Sequence, residues 1–281
     1  MGNLIRFTKM QGCGNDYVYV DCTKGIPFDP VKTAIAVSNR NFGIGSDGLI
    51  LICASDKADF RMQMHNADGS ESEMCGNGIR CVGKFVYDKG LTKKTTVSIE
   101  TGAGIKILKL DVKDGKVASA RVDMGEPITL AKDVPVVSEN EKVINEDITV
   151  LDKTFKMTCV SMGNPHAVVF VDDTASFDLY KYGPAFETHA RFPRRTNTEF
   201  VQIISKDEAN MRVWERGSGE TLACGTGTCA SVVAAFLNGL TERRVLVHLL
   251  GGDLLIEFDE ATGHVFMTGP AVTVFEGEIE L

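Results

Sequence analysis

The chain repeats itself, and this limits its fold more than any other property. Cys75 opens the run Cys-Gly-Asn-Gly, and Cys224 opens Cys-Gly-Thr-Gly 149 residues later. The same shift carries Gly14-Asn15 onto Gly163-Asn164, Met62 onto Met211, Gly90-Leu91-Thr92 onto Gly239-Leu240-Thr241 and Gly102 onto Gly251. Glu71 and Glu220 each stand four residues before their cysteine. One offset held from residue 14 to residue 102 marks a duplicated domain. The length of 281 residues agrees, since about 150 residues per domain gives two domains.

Local patterns predict the same elements in both copies. Strands are expected at Tyr17 to Val20, Leu49 to Cys53, Phe60 to Met64, Thr95 to Glu100 and Ile105 to Asp111 in the first. Ala167 to Val171, Phe200 to Ile204, Met211 to Trp214, Arg244 to Leu250 and Leu254 to Phe258 are expected to be strands in the second. A helix follows each cysteine loop, over Ile79 to Lys89 and Thr228 to Asn238, and each stops at a C-capping glycine, Gly90 or Gly239. The second helix is apolar nearly all round, so it should be buried on every side. Each half therefore reads as a β-sheet curled around a central helix, an α+β arrangement without alternating βαβ units. The expected domains are residues 1–126 plus 270–281, and residues 127–269.

Composition removes several classes of function. Lys and Arg number 30 against 38 Asp and Glu, a net charge of -8. Nucleic acid and anionic membranes call for a basic face, so neither is an expected partner. The longest apolar run, around Ala230 to Leu237, is far short of the ~20 residues a bilayer needs. Met1 to Met10 is interrupted by Arg6 and Lys9 and carries no signal segment, which points to the cytoplasm. Eight cysteines in a reducing compartment are not a disulfide framework. No Cys-x-x-Cys pair and no zinc-type histidine spacing occurs, so no metal is expected. The thiols are packing residues or reactive groups.

Two of them are placed for chemistry. Cys75 and Cys224 each precede a helix start, where unpaired N–H groups and a partial positive charge lower a thiol's pKa. The same N–H groups, bared by glycines, can hold a carboxylate. If the two helix starts share one cleft, a thiolate can remove a proton from the carbon beside the carboxylate. The opposite thiol then protonates the other face, which inverts that carbon. No lysine motif for a pyridoxal group is present, so the chemistry would be cofactor-free. A buried cysteine is ordinarily a small core residue. Its repetition at equal positions favours chemistry for Cys75 and Cys224, whereas Cys81 and Cys229 are one residue out of register and read as core.

The segments Gly14-Asn15-Asp16, Asn66-Ala67-Asp68-Gly69-Ser70, Cys75-Gly76-Asn77-Gly78-Ile79-Arg80, Gly163-Asn164-Pro165-His166, Glu215-Arg216-Gly217 and Ala223-Cys224-Gly225-Thr226-Gly227 make a recognisable set. With them the chain resembles the diaminopimelate epimerase family nearly end to end. The cysteine loops alone would indicate the wider cofactor-independent racemase group, which includes proline racemase. The resemblance implies two pseudo-symmetric domains with the active site in the cleft between them. It implies interconversion of LL- and meso-2,6-diaminopimelate for lysine and peptidoglycan precursors, with Cys75 and Cys224 as the acid/base thiols and no cofactor. Gly76, Asn77, Gly225 and Thr226 would grip the reacting carboxylate, and Asn15 and Glu215 would orient groups near the reacting amine. Asn66, Asn164, Asn197 and Arg216 would read the distal amino-acid end, with His166 supporting the site. It further implies a homodimer and a final strand from Ala271 to Leu281 returning to the first domain. Gly48, the repeat partner of Asn197, offers no side-chain contact.

Read from the residues alone, Asn15 and Asn197 fit turn positions equally well, Arg216 an exposed ion pair and His166 a satisfied core histidine. Two other functions compete. Gly225-Thr-Gly-Thr-Cys-Ala230 fits a dinucleotide fingerprint, but Glu242 opens a basic turn where a strand-end acid is required. Facing thiols could also form a Cys75–Cys224 disulfide and act as a redox switch.

Overall fold

The computed structural model describes residues 4–280. Its contacts divide the chain into two compact units, one running to Val122 and resuming at Gly269, the other spanning Asp123–Thr268. The chain leaves the first unit within one strand and returns to it within another.

The first unit opens with β1 (Leu4–Gly12), β2 (Asn15–Cys22), α1 (Pro30–Ser38), β3 (Gly48–Cys53), β4 (Phe60–Asn66) and the short β5 (Glu71–Ser72). It continues through α2 (Gly76–Asp88), β6 (Thr96–Thr101), β7 (Gly104–Lys113) and β8 (Lys116–Gly125). The second unit holds β9 (Glu146–Val150), β10 (Lys153–Ser161), β11 (Pro165–Phe170), α3 (Leu179–Glu187), β12 (Asn197–Ile203), β13 (Glu208–Glu215) and β14 (Gly219–Thr221). Then come α4 (Gly225–Leu237), β15 (Arg244–Leu249), β16 (Gly252–Phe258), β17 (Val265–Pro270) and, back in the first unit, β18 (Val272–Glu280).

The 149-residue shift carries α1 onto α3 and α2 onto α4, residue for residue at both ends. It also governs sheet register. Tyr17 lies beside Gly48 in the parallel pair β2–β3, and their repeat partners His166 and Asn197 lie side by side in β11–β12. The expected strands are present, with ends displaced by up to three residues. The last of them, β18, pairs antiparallel with β1.

The structure corrects the sequence reading in three respects. First, α2 and α4 begin three residues earlier than expected. The Gly-rich loops are the first helical turns, and the cysteines themselves are the N-caps, extended at φ -130, ψ 118 for Cys75 and φ -123, ψ 108 for Cys224. Glycine's low helix propensity hid this, yet helix starts tolerate it because packing supplies the stability. Second, each unit has an additional helix. Asp29 caps α1 by accepting the Val31 and Lys32 N–H groups, with Pro30 in the first turn. Pro184 within α3 argues locally against a helix. Gly183 beside it has a tertiary reason, since a Cβ there would lie 2.5 Å from the Trp214 ring. Third, βαβ-like crossovers do occur. The pairs β2–β3, β4–β6, β11–β12 and β13–β15 are parallel, within an otherwise antiparallel α+β arrangement.

Each central helix sits deep in its unit. From Gly76 to Val86, α2 is buried throughout, and α4 is buried from Gly227 to Ala235, emerging only at Leu237. Each fully buried valine of α4, such as Val233, contributes about 1.5–3 kcal/mol of apolar transfer. The second unit also has an aromatic core, in which Phe155 meets Tyr182 and Phe186 edge-on at 5.0 and 5.3 Å.

Candidate active site

In the first unit the Cys75 thiol caps α2, accepting the Gly78 N–H at 3.3 Å. It donates to Asn15 Oδ1 at 3.2 Å. The Asn15 amide is held in that orientation because its Nδ2 donates to Asp47 at 2.7 Å. Asp47 also accepts from the Asp16 N–H and from Arg40. Burial alone would raise the Asp16 carboxyl, but hydrogen bonds from Arg40 and Lys9 bring it below its ordinary value. Tyr17 lies on β2 next to these groups. Burial, reinforced by Cys75, pushes its hydroxyl far above the usual range, so it remains a neutral O–H. Beneath the thiol the floor is apolar, for a Cβ on Gly78 would lie 2.8 Å from Ile50 and 3.4 Å from Met62. Asn66, at the end of β4, donates to Ser70 at 3.0 Å. Gly76 and Asn77 form the first turn of α2.

The second unit has the same frame and different chemistry. Cys224 Sγ lies 3.5 Å from the Thr226 hydroxyl, and Gly225 and Thr226 form the first turn of α4. The expectation of a lowered thiol pKa fails here. Burial, then Glu215, then Glu199 push Cys224 well above its ordinary value, which outweighs the helix terminus. Glu215 is itself raised, chiefly by burial, and Thr221 donates to it.

His166 is wholly buried, with Nδ1 hydrogen-bonded to Glu199 at 2.7 Å and Nε2 to Asn164 Oδ1 at 3.0 Å. Both ring nitrogens are thus engaged, which fixes the orientation of the imidazole. His166, Glu199 and Cys224 keep their donor atoms within 4.8 Å of one another. They are the types a metal could use, and His166 and Glu199 are hydrogen-bonded to each other directly.

Other predicted residues have supporting positions. Asn197 is buried and uses both ends of its amide, donating to the Pro165 carbonyl and accepting the Arg216 N–H, each at 2.9 Å. It thereby fixes the Glu215-Arg216-Gly217 turn. Glu187 of α3 braces the same turn through the Gly217 N–H and the Trp214 indole. The Arg216 side chain is exposed and donates to the Arg194 carbonyl at 3.0 Å. Gly48 could carry no side chain, since a Cβ there would meet the His65 carbonyl at 2.2 Å.

Sequence reading missed Tyr17, Asp47, Arg80 and Glu199. Tyr17 and His166 are repeat partners, and that shift was a usable signal. Glu199 lies inside an apolar strand, where nothing local distinguishes it. Arg80 is fully buried and donates to the Gly76 and Pro270 carbonyls, tying the cysteine loop to the chain that enters β18. Burial pushes the Cys81 thiol up to about 11 and Cys22 up to about 12, and Cys159 and Cys229 are wholly enclosed. The dinucleotide fingerprint falls inside α4, which follows the antiparallel strand β14, and Glu242 stands in the turn before β15.

Solved structures share this fold. A phenazine biosynthesis protein of the PhzF family from Bacillus anthracis superposes with a TM-score of 0.72 at 17% identity, over 99% of this chain and 100% of that one. A hydroxyproline epimerase from Agrobacterium vitis does so with a TM-score of 0.69 at 12% identity, over 100% of this chain and 94% of the other. Residues 7–130 and 158–274 match the family profile described as diaminopimelate epimerase. A relative of that name from Agathobacter rectalis is 63% identical over 284 residues, 99% of this chain and 100% of its own. Another from Methanococcus maripaludis is 57% identical over 277 residues, again 99% and 100%. The fold and these relatives together define an isomerase of the epimerase class. Within that class, the chain belongs to the diaminopimelate epimerase family.

Proposed function

We propose that this chain interconverts LL- and meso-2,6-diaminopimelate by two-base proton transfer, with Cys75 and Cys224 as the reacting groups. The reading is carried by one observation: two cysteines at equal positions of a duplicated frame each occupy the N-cap position of a buried 13-residue helix. One thiolate takes the α-proton and becomes a thiol. The other thiol gives its proton to the opposite face and becomes a thiolate, so the carbon inverts and the proton count balances. The helix-start N–H groups at Gly76, Asn77, Gly225 and Thr226 hold the carboxylate and stabilise the carbanion beside it. Asn15 and Glu215 orient the reacting amine, and Asn66, Asn164, Asn197 and Arg216 receive the distal end, whose stereocentre is unchanged. His166 supports the second thiol, and no cofactor takes part. The enzyme works in the cytoplasm, as a homodimer, in lysine biosynthesis.

The direct test is incubation with LL-diaminopimelate in deuterated water. Meso product with deuterium at a single α-carbon, formed without added cofactor, is the expected result. Meso product that retains its original α-hydrogen would exclude proton exchange with the thiols.

A further inference from the structure

Glu199 has no role in the mechanism so far, yet it occupies an unusual position. Its carboxyl is wholly buried in β12, between His166 and the start of α4. One oxygen is bonded to His166 Nδ1, and the other, Oε2, is buried without a hydrogen-bond partner. The repeat partner of Glu199 is Ile50, equally buried, beneath the other thiol. An apolar residue therefore satisfies this position structurally in one half. Gly227 is shaped around the carboxyl in the other, since a Cβ there would lie 2.3 Å from Glu199 Oε1 and 3.2 Å from Cys224 Sγ. A buried carboxyl half-used in bonding is costly to maintain, which argues for a role beyond packing.

We infer that Glu199 is a positioning residue that clamps His166 beside Cys224 and keeps this thiol loaded with its proton, so that Cys75 is the first of the two to become a thiolate. The groups facing Cys224 are Glu199 on β12, His166 on β11, Glu215 at the end of β13 and the Thr226 hydroxyl on its own helix. Two carboxyl groups, Glu215 and Glu199, oppose a thiolate there. Around Cys75 the floor is Ile50 and Met62, and the Asp47 carboxyl behind Asn15 is bound by the Arg40 guanidinium. The inference rests on the two-thiol reading above, but its test needs no substrate.

The experiment measures alkylation of Cys224 by iodoacetamide across pH 6–10 by peptide mass spectrometry, with Cys75 of the same molecule as internal reference. In Glu199→Gln, labelling of Cys224 relative to Cys75 at pH 8 should rise about tenfold, the equivalent of one pKa unit. In turnover, kcat should fall while KM holds, and Glu199→Asp should partly restore both readouts. An unchanged labelling ratio in Glu199→Gln and in Glu199→Ile would overturn the inference. Should these variants fail to fold, the unaltered enzyme still decides, because labelling of Cys224 that keeps pace with Cys75 at pH 7 overturns it too. Failure of wild-type enzyme to form the meso isomer would instead overturn the epimerase reading.

Discussion

The two halves of the molecule share a backbone and differ in what they place around the thiol. Repeat positions 17 and 166 hold Tyr and His, positions 50 and 199 hold Ile and Glu, and positions 66 and 215 hold Asn and Glu. One thiol stands over an apolar floor and is hydrogen-bonded to a neutral amide. The other stands among two carboxyl groups and an imidazole. The duplicated frame is shared, and these three repeat positions carry different side chains in the two halves.

That comparison can be broken most forcefully at the sulfurs. Cys75→Ala and Cys224→Ala should each reduce kcat for epimerisation by about 10²–10⁴-fold. Robust turnover in either variant, by a coupled or chromatographic assay, would remove that half from the mechanism. A smaller effect tests the floors. Gly227→Ala drives a methyl against the Glu199 carboxyl at 2.3 Å, whereas Gly78→Ala presses on the end of the Ile50 side chain at 2.8 Å. We expect Gly227→Ala to lose about 1–3 kcal/mol in urea unfolding. Gly78→Ala should come close to neutral, because alanine regains about 1 kcal/mol of helix propensity. Equal losses would mean that the two floors are equally rigid.

The pH dependence of stability distinguishes the halves as well. The folded-state value of Glu215 is raised above the unfolded one. Its contribution is therefore full below about pH 4.5 and is lost as pH rises through the folded value. Glu215→Gln should flatten the fall in stability above pH 4.5, read from denaturation midpoints at several pH values. The Asn66→Gln exchange at the repeat position should leave that slope as it was. The smallest effect concerns the helix caps. Asp29 accepts two N–H groups of α1 and Asp178 accepts one of α3. Asp29→Ala should cost about 1 kcal/mol and Asp178→Ala less, measured by thermal unfolding.

Much of this was legible because repetition is a long-range signal carried in local letters. The offset read at Cys75 and Cys224 also locates α1 against α3 and the sheet register, although neither helix announces itself over nine residues. Helix starts were misplaced because glycine is read as loop, whereas Gly76-Asn77-Gly78 is held helical by burial. The thiol electrostatics were misjudged for a related reason. A helix terminus is visible in sequence, but the carboxyls of Glu199 and Glu215 reach Cys224 only through the packing of β12 and β13. Glu199 was the hardest to see, being one acid within a strand of buried residues.

The pairing of β18 with β1 has a consequence for biosynthesis. The unit spanning Asp123–Thr268 is contiguous and has all its strands once Thr268 has cleared the ribosome. The first unit, although translated earlier, keeps one edge of β1 open until the final residues arrive. The half that begins the chain is thus completed last. Truncation by a single C-terminal strand would leave the later-made half intact and expose the earlier one to edge-to-edge association.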